Sequence, residues 1–246
     1  MRVAVLSDIH SNLQALEAVL AAIEAAGAEE TWCLGDLIGY GADPDTCTAL
    51  VRERCGTCLV GNHDLAVLGA LNISTFSDTA AAAVAWTREH VNEETLDFLG
   101  SLDPAGSREG VGLFHASPRD PVWEYVLSTD QAEAGLDAQE ERVGLIGHSH
   151  IALFFARAEG ARRGYAQGAQ AADGAEVELV DGKWLLNPGS VGQPRDSDPR
   201  AAWLELDTEN WVARYHRVPY DIEGAASAIL AAGLPSTLAE RLEVGR

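Results

Sequence analysis

The sequence is short of positive charge. Its 246 residues include 17 lysines and arginines against 38 aspartates and glutamates, which gives a formal net charge of −21 at pH 7. Loose binding to nucleic acid and attraction to anionic membranes both depend on Lys and Arg side chains that meet phosphates. The charge therefore disfavours nucleic acid and membranes as partners, and its ordinary role is to keep a protein soluble.

Long apolar runs are absent, and cysteines are few. No stretch approaches the ~20 apolar residues that a membrane helix needs, and residues 1–6 reach Ser7 and Asp8 too early for the apolar core of a signal peptide. We therefore expect a cytoplasmic protein. In a reducing compartment cysteines normally stay thiols, and a lone CxxC is weak evidence for a zinc or redox site. We therefore interpret the four cysteines as structural thiols: Cys33, Cys47, Cys55 and Cys58.

The first 60 residues alternate between strand and helix patterns. Apolar, β-branched stretches predict strands at residues 3–6, 31–34 and 57–60, and apolar residues at helical spacing predict helices from Leu13 to Gly27 and over residues 44–54. Ser11 or Asn12 can cap the first helix. This alternation favours a parallel sheet covered by helices.

Two helices predicted at residues 78–91 and 93–102, with Asp78 and Asn92 as caps, form a helical insertion over about 65–104. They could form a lid over a site, but we favour ordinary packing of their apolar faces. Further strands, most with the short connections of antiparallel meanders, are predicted at residues 110–114, 142–146, 151–156, 175–180, 183–186, 201–206 and 211–217.

The remaining segments complete the predicted architecture. Residues 167–174 are rich in Ala, Gly and Gln, which predicts a flexible hairpin tip, and residues 221–232 and 236–243 predict C-terminal helices. We predict one domain over residues 1–246, of the α/β (α+β) class. Its expected architecture is a two-sheet β-sandwich flanked by helices.

Short polar segments follow several of these strands, and they are rich in oxygen and nitrogen ligands. Residues two apart at the end of a strand point the same way, so the side chains of each Asp-x-His or His-x-His pair can reach one ion. A glycine before a ligand lets the backbone turn sharply beneath a metal. The segments are Asp8-Ile9-His10, Gly35-Asp36, Gly61-Asn62-His63-Asp64, His115 and Gly147-His148-Ser149-His150.

In this order the segments resemble the metal-binding motifs of the calcineurin-like metallophosphoesterases, whose fold is a β-sandwich between helical layers. The resemblance implies two divalent ions, Mn or Fe favoured and Zn, Co or Ni compatible with the ligands. It implies that a hydroxide bridging the ions attacks phosphodiesters or small phosphomonoesters. It assigns Asp8, His10 and His150 to one ion, Asn62, His115 and His148 to the other, Asp36 to both, and His63 to the leaving group.

The chain departs from the protein Ser/Thr phosphatases of this superfamily, which carry phosphate-binding arginines. Tyr40 and Val60 occupy the positions of those arginines, so a phosphoprotein substrate is disfavoured. The loops instead resemble the bacterial branch that contains small phosphodiesterases. Tyr40, Arg119 and Arg195 are candidate substrate contacts, although each arginine could equally form a surface ion pair. Asp64 could orient His63 or cap the next turn.

Three functions remain to be compared. A phosphoesterase acting on a small phosphate ester, a nucleotide being one candidate, is favoured. A catalytically retired scaffold is disfavoured because His63 and every ligand are retained. A nuclease is disfavoured by the net charge of −21, although Arg119, Arg162, Arg163 and Arg195 could form a local basic rim. The sequence does not fix the oligomeric state or the preference between diester and monoester.

Overall fold

A computed structural model describes residues 1–161 and 164–246, and the described chain forms two six-stranded β-sheets. The first sheet has the order β3-β2-β1-β11-β12-β9. Its three leading strands pair in parallel, and the remaining pairs are antiparallel. Its strands are β1 (Arg2–Leu6), β2 (Glu30–Cys33), β3 (Thr57–Cys58), β9 (Glu176–Glu178), β11 (Ala201–Asp207) and β12 (Val212–Val218).

The second sheet has the order β4-β5-β6-β10-β7-β8. The pairs β5–β6 and β6–β10 are parallel, so the meander expected for this half of the chain is only partly correct. Its strands are β4 (Ala105–Arg108), β5 (Val111–Phe114), β6 (Val143–Leu145), β7 (Ala152–Arg157), β8 (Gln167–Gln170) and β10 (Lys183–Pro188).

Helices cover the outer face of each sheet. Strand β1 shows why, since Val3 and Val5 pack in the apolar cluster between the sheets while Ala4 and Leu6 pack with helices on the other side. None of the described helices is long and apolar enough to cross a membrane. The helices are α1 (Leu13–Ala26), α2 (Pro44–Arg54), α3 (Asn62–Val67), α4 (Asp78–His90), α5 (Glu93–Gly100), α6 (Thr129–Ala138), α7 (Ile222–Ala231) and α8 (Ser236–Val244).

Local capping explains where several helices begin and end. Helix α1 begins after Asn12, whose side chain accepts a hydrogen bond from Ala15 N at 3.1 Å, and it ends at Gly27 in the left-handed conformation. Asn92 caps α5 as expected. The prediction for Asp78 was wrong, because the hydroxyl of Ser77 accepts the capping bond and Asp78 is the first helical residue.

The expected hairpin tip at residues 167–174 was also wrong in part. Residues 167–170 form β8, an exposed edge strand paired with β7. Main-chain hydrogen bonds are enough for an edge strand, so it needs none of the apolar alternation used to find strands. The helices of the insertion show the favoured packing: Ala80 and Ala83 of α4 are buried in a cluster with α7 and α8.

Candidate metal centre

The polar segments converge at the carboxyl ends of strands from both sheets. In the first sheet Asp8 follows β1, Asp36 follows β2 and Asn62 follows β3. His115 follows β5 of the second sheet, and the segment with His148 and His150 follows β6. The two sheets therefore contribute to one cluster where their strands end.

Two overlapping groups of side chains in this cluster could each hold an ion. In each group the potential ligand atoms all lie within 4.8 Å of one another. Asp36 is the member that the two groups share, which is the position expected for a bridging carboxylate. The first group is Asp8, His10, Asp36 and His150, and the second is Asp36, His115 and His148. The expectation that His148 and His150 reach one ion by strand alternation was therefore wrong, because both residues have a left-handed φ of 61° instead of an extended backbone.

The distances place Asp36 between two imidazoles. Its Oδ2 lies 3.6 Å from Nε2 of His10 and 3.6 Å from Nε2 of His115. In the first group, Nε2 of His10 and Nε2 of His150 are 3.0 Å apart. The Oδ1 of Asn62 lies 3.1 Å from Nε2 of His115, which places this amide with the second group.

Main-chain carbonyls orient three of the four histidines. The Nδ1 atoms of His10, His115 and His150 donate hydrogen bonds to carbonyl oxygens at 3.1, 2.9 and 2.7 Å. A carbonyl oxygen can only accept, so the proton is on Nδ1 and the lone pair of Nε2 faces the cluster. This orientation of a histidine by an outer hydrogen bond is typical of metal ligands.

Several buried atoms of the cluster have no hydrogen-bond partner. They are Oδ1 of Asp8, Oδ2 of Asp36 and Nε2 of His148. Buried polar atoms are normally paired, and an atom left unpaired is costly unless it has another role. Lone pairs of carboxylates and neutral imidazoles that converge without donors fit divalent cations. The donor set therefore fits the two ions that the sequence predicts.

The backbone at the cluster is unusual. Non-glycine residues with positive φ are uncommon, yet Asp8, His10, Asp36, His148 and His150 have φ between 51° and 61°. Gly61 and Gly147 provide close approaches there, since an added Cβ at either would lie 2.0 Å from a neighbouring side-chain oxygen. The sharp turns that point these side chains inward thus combine local strain with glycines at which any side chain would collide with a neighbouring loop.

Burial sets the protonation of the cluster. Burial raises the pKa of Asp8 to about 7. Burial and the nearby negative charge of Asp64 raise the pKa of Asp36 well above its ordinary range. Burial also lowers the pKa of His10, His148 and His150 well below their ordinary range. Neutral imidazoles are the form that binds metals, whereas the carboxyls favour protons until a cation neutralises their charge.

His63 lies beside the cluster and differs from the ligands. Its ring stands edge-on to His10 with centroids 4.9 Å apart, and its Nδ1 has no hydrogen-bond partner. The pKa of His63 is lowered to about 3, mainly by burial and next by the positive charge of Arg195. The main-chain N–H of His63 donates to Oδ1 of Asp36 at 2.8 Å. His63 is thus a neutral imidazole next to the expected bridging carboxylate.

The side chain of Asp64 binds main-chain N–H groups. Its carboxylate accepts main-chain N–H bonds from Gly61 at 2.9 Å, Ile38 at 3.0 Å and Leu37 at 3.3 Å. The bond from Gly61 is a capping interaction at the start of α3, which agrees with the second of the two roles considered. Asp64 therefore joins the loop that carries Asp36 to the loop that carries Asn62.

Of the three candidate substrate contacts, two lie at the cluster. The ring of Tyr40 is 4.6 Å from that of His10 and 4.3 Å from that of His63. The guanidinium of Arg195 lies 5.8 Å from the centroid of the Tyr40 ring. Arg119 forms an ion pair with Glu124 and is 52% exposed, which is the surface pairing considered as its alternative role.

Sequence reasoning missed an aromatic cover over the centre. Tyr125 stacks on His148 with ring centroids 4.1 Å apart, and Trp123 meets Phe76 edge-on at 5.3 Å. Phe76 in turn meets His63 at 5.1 Å. The Trp-Glu-Tyr sequence at 123–125 was a visible signal, since large aromatics in a loop need a surface to pack on.

A family model matches most of the chain, and two relatives match nearly all of it. Residues 1–209 match the family model of the calcineurin-like phosphoesterase superfamily domain. The uncharacterized protein MJ0912 of Methanocaldococcus jannaschii is 39% identical over 250 residues, covering 99% of this chain and 98% of that protein. The crystal structure of a metallophosphoesterase from Sphaerobacter thermophilus matches with TM-score 0.90 and 35% identity, over 100% and 99% of the two chains.

A likeness at lower identity extends the fold comparison. The hypothetical protein PH1004 from Pyrococcus horikoshii matches with TM-score 0.77 and 19% identity, over 100% of this chain and 98% of that one. Its likeness concerns the fold alone. Together with the buried Asp and His cluster, the family match and the 39% identical relative show that this chain belongs to the calcineurin-like phosphoesterase superfamily.

Proposed function

We propose that the protein is a dinuclear metal-dependent phosphoesterase that hydrolyses phosphodiesters or small phosphomonoesters, with diesters favoured. The observation that carries the proposal is Asp36, whose unpaired Oδ2 lies between two groups of inward-facing ligands. The mixed nitrogen and oxygen donors, without thiolate, favour Mn or Fe and are compatible with Zn, Co or Ni. When bound, two such ions activate water and neutralise phosphoryl oxygens.

The protein's own groups hold and orient these partners. Asp8, His10 and His150 are proposed for one ion and Asn62, His115 and His148 for the other, with Asp36 shared. His63, neutral and beside the cluster, is proposed to donate a hydrogen bond to the leaving oxygen. Positioned donors of this kind act best in a site that excludes water, and the burial of the cluster supports that role.

The surroundings support a small substrate. Phe76, Trp123 and Tyr125 provide aromatic faces beside the centre, which suit a leaving group with a ring, such as a nucleotide base. The rim considered for a nuclease has less support, because Arg119 is paired with Glu124 and residues 162–163 lie outside the described chain. The family match favours a phosphate ester as the substrate.

The test compares two chromogenic esters. Protein stripped with a chelator and re-loaded with Mn is assayed on bis-p-nitrophenyl phosphate and on p-nitrophenyl phosphate, with Asp36→Asn as the matched variant. We expect metal-dependent release that favours the diester and is lost in Asp36→Asn. No release from either ester, with two ions measured per chain, would instead support the catalytically retired scaffold.

A further inference from the structure

Two arginines without carboxylate partners meet at the edge of the metal centre. Nη2 of Arg195 lies 3.1 Å from Oε1 of Gln193, and Nη1 of Arg241 lies 3.5 Å from the same oxygen. Within residues 1–161 and 164–246 neither arginine forms an ion pair. Among the residues that the structure describes, one neutral amide oxygen is the only acceptor that the two cations share.

The pair lacks the acceptors that other arginines of the described chain have. Arg52 pairs with Glu94 at 2.6 Å and Arg214 with Glu176 at 2.7 Å, while Arg142 donates to main-chain carbonyl oxygens. Two cations side by side repel each other, and the repulsion is stronger where the groups are partly removed from water. A net charge of −21 leaves many carboxylates available, yet none of those described lies within ion-pair distance of Arg195 or Arg241. The pair is thus suited to an anion from outside the chain.

The pair adjoins the proposed reaction centre. Nη2 of Arg195 lies 3.4 Å from the hydroxyl of Tyr40, whose ring contacts His10 and His63. The Nε of Arg195 is buried without a hydrogen-bond partner. Partial burial and the charge of Arg195 lower the pKa of Arg241, opposed by the phenols of Tyr40 and Tyr125. Both guanidinium groups therefore lie beside the centre rather than on a remote surface.

Arg241 also lines an open hollow of about 530 Å³. Ser77, Thr79 and Thr237 contribute hydroxyls to it, and these can donate hydrogen bonds to phosphate oxygens. Glu240 lines the same hollow and is its only carboxylate. The hollow provides space for an anionic group outside the metal centre, and the side chain of Arg241 lines it.

We propose that Arg195 and Arg241 bind a second phosphate group of the substrate, so that the preferred substrate is an ester carrying a diphosphate, as in a nucleoside diphosphate. The inference rests on the proposed function, which gives the first phosphate to the metals. Planar guanidinium groups bind phosphate oxygens in pairs. Arg241 lies on α8, beyond the 1–209 segment that matches the family model.

The test measures anion binding without turnover. The full-length, chelator-treated protein, shown to be folded by circular dichroism, is titrated calorimetrically with inorganic pyrophosphate and with orthophosphate. We expect pyrophosphate to bind at least several-fold more tightly. Arg195→Gln and Arg241→Gln should each weaken pyrophosphate binding roughly tenfold or more, since each removes charge-assisted hydrogen bonds. Arg241→Lys, which keeps the charge but not the planar group, should fall between.

Arg54→Gln is the control, because Arg54 is an exposed residue of α2 paired with Glu24. Equal affinities for the two anions, or the same affinity in Arg241→Gln as in Arg54→Gln, would overturn the inference. Pyrophosphate binding that depends on both arginines, in a protein inactive when metal-loaded, would leave this anion site standing and refute the proposed hydrolysis. Metal-dependent hydrolysis, with pyrophosphate binding that does not depend on the two arginines, would support the proposed hydrolysis and refute this anion site.

Discussion

At the residue scale, His63 and the histidines proposed as metal ligands differ in what holds their rings. His10, His115 and His150 each donate Nδ1–H to a carbonyl, which fixes their rings. His63 has no such bond at Nδ1, and its ring is held by contacts with Tyr40 and Phe76 instead. A ring held only by packing can offer its N–H to a substrate atom.

Replacing His63 by alanine should therefore separate binding of metal from turnover. We expect His63→Ala to retain two ions per chain and to lose about 10²–10⁴-fold in turnover, the usual contribution of a positioned proton donor. Metal content by elemental analysis and ester hydrolysis measure the two effects. His90→Ala, at the exposed end of α4, should match the wild type in both. Unchanged turnover in a metal-loaded His63→Ala protein would contradict the assigned role.

Asp64 allows a second prediction, this time on stability. Asp64→Asn replaces one carboxylate oxygen by an amide group that cannot accept, so a buried main-chain N–H near Leu37, Ile38 or Gly61 loses its partner. The cost should be about 1–3 kcal/mol in the free energy of unfolding, measured by urea denaturation. Asp97→Asn, an exposed change on α5, is the control and should stay within about 0.5 kcal/mol of wild type. Equal stabilities would disprove the linking role of Asp64.

At the element scale, the loop of residues 117–128 lies over the metal centre. Ser117 and Arg119 both bond to Glu124, which holds the loop in a compact turn. Tyr125 then stacks on His148 while remaining 41% exposed. This loop, rather than the helices of the insertion, covers the ligands.

Removing the stacked ring should loosen the metal. Aromatic contacts of this kind contribute about 0.5–1.5 kcal/mol, so Tyr125→Ala should raise the dissociation constant of the metal roughly two- to tenfold. Competition with a chromogenic chelator measures it. Tyr165→Ala is the matched change, because that ring is 67% exposed. The same metal affinity in both variants would show that Tyr125 does not support His148.

Elements differed in how well the sequence predicted them. Strands such as β1 and β11 are buried on both faces, so they stand out as apolar runs. Strands β4 and β8 were missed because they lie at the edges of a sheet and carry small or polar residues. Helix α6 was missed although Ser128 and Gln131 form a capping box at its start. Its short apolar face gave too weak a period to detect.

At the scale of the whole molecule, the metal centre connects the two sheets. The first sheet supplies Asp8, His10, Asp36 and Asn62, and the second sheet supplies His115, His148 and His150. Ions at this centre would bind the folded chain and not the unfolded one, so they should stabilise the entire fold.

Chelation should accordingly lower the melting temperature. Metal at 100 times its dissociation constant stabilises a protein by about 2.7 kcal/mol, which for a chain of this size corresponds to a shift of roughly 5–11 °C. Differential scanning fluorimetry with Mn and with excess chelator measures the shift. Asp36→Asn, which lacks the shared carboxylate, should show a much smaller one. A melting temperature that chelator leaves unchanged in the wild type would refute the connection.

The sequence revealed the centre more fully than its surroundings for a geometric reason. Each proposed ligand lies within five residues of the end of a strand. Parallel strands end at the same edge of a sheet, so the order of these segments in the sequence predicts that they are neighbours in space. Arg241 and Gln193 are 48 residues apart in the sequence, on α8 and in the loop after β10, and they meet only in the tertiary structure. Trp123 and Tyr125 depend on a loop conformation. Contacts of these kinds leave no periodic signal in a single sequence.

The left-handed backbone at five proposed ligands has a consequence for the choice of substitution. Asp8, His10, Asp36, His148 and His150 have φ between 51° and 61°, a conformation that β-branched residues adopt least readily and that asparagine and aspartate tolerate. Valine at Asp8 or Asp36 would therefore strain the backbone as well as remove a carboxylate. Asparagine at the same two positions keeps the turn and changes the side-chain charge alone.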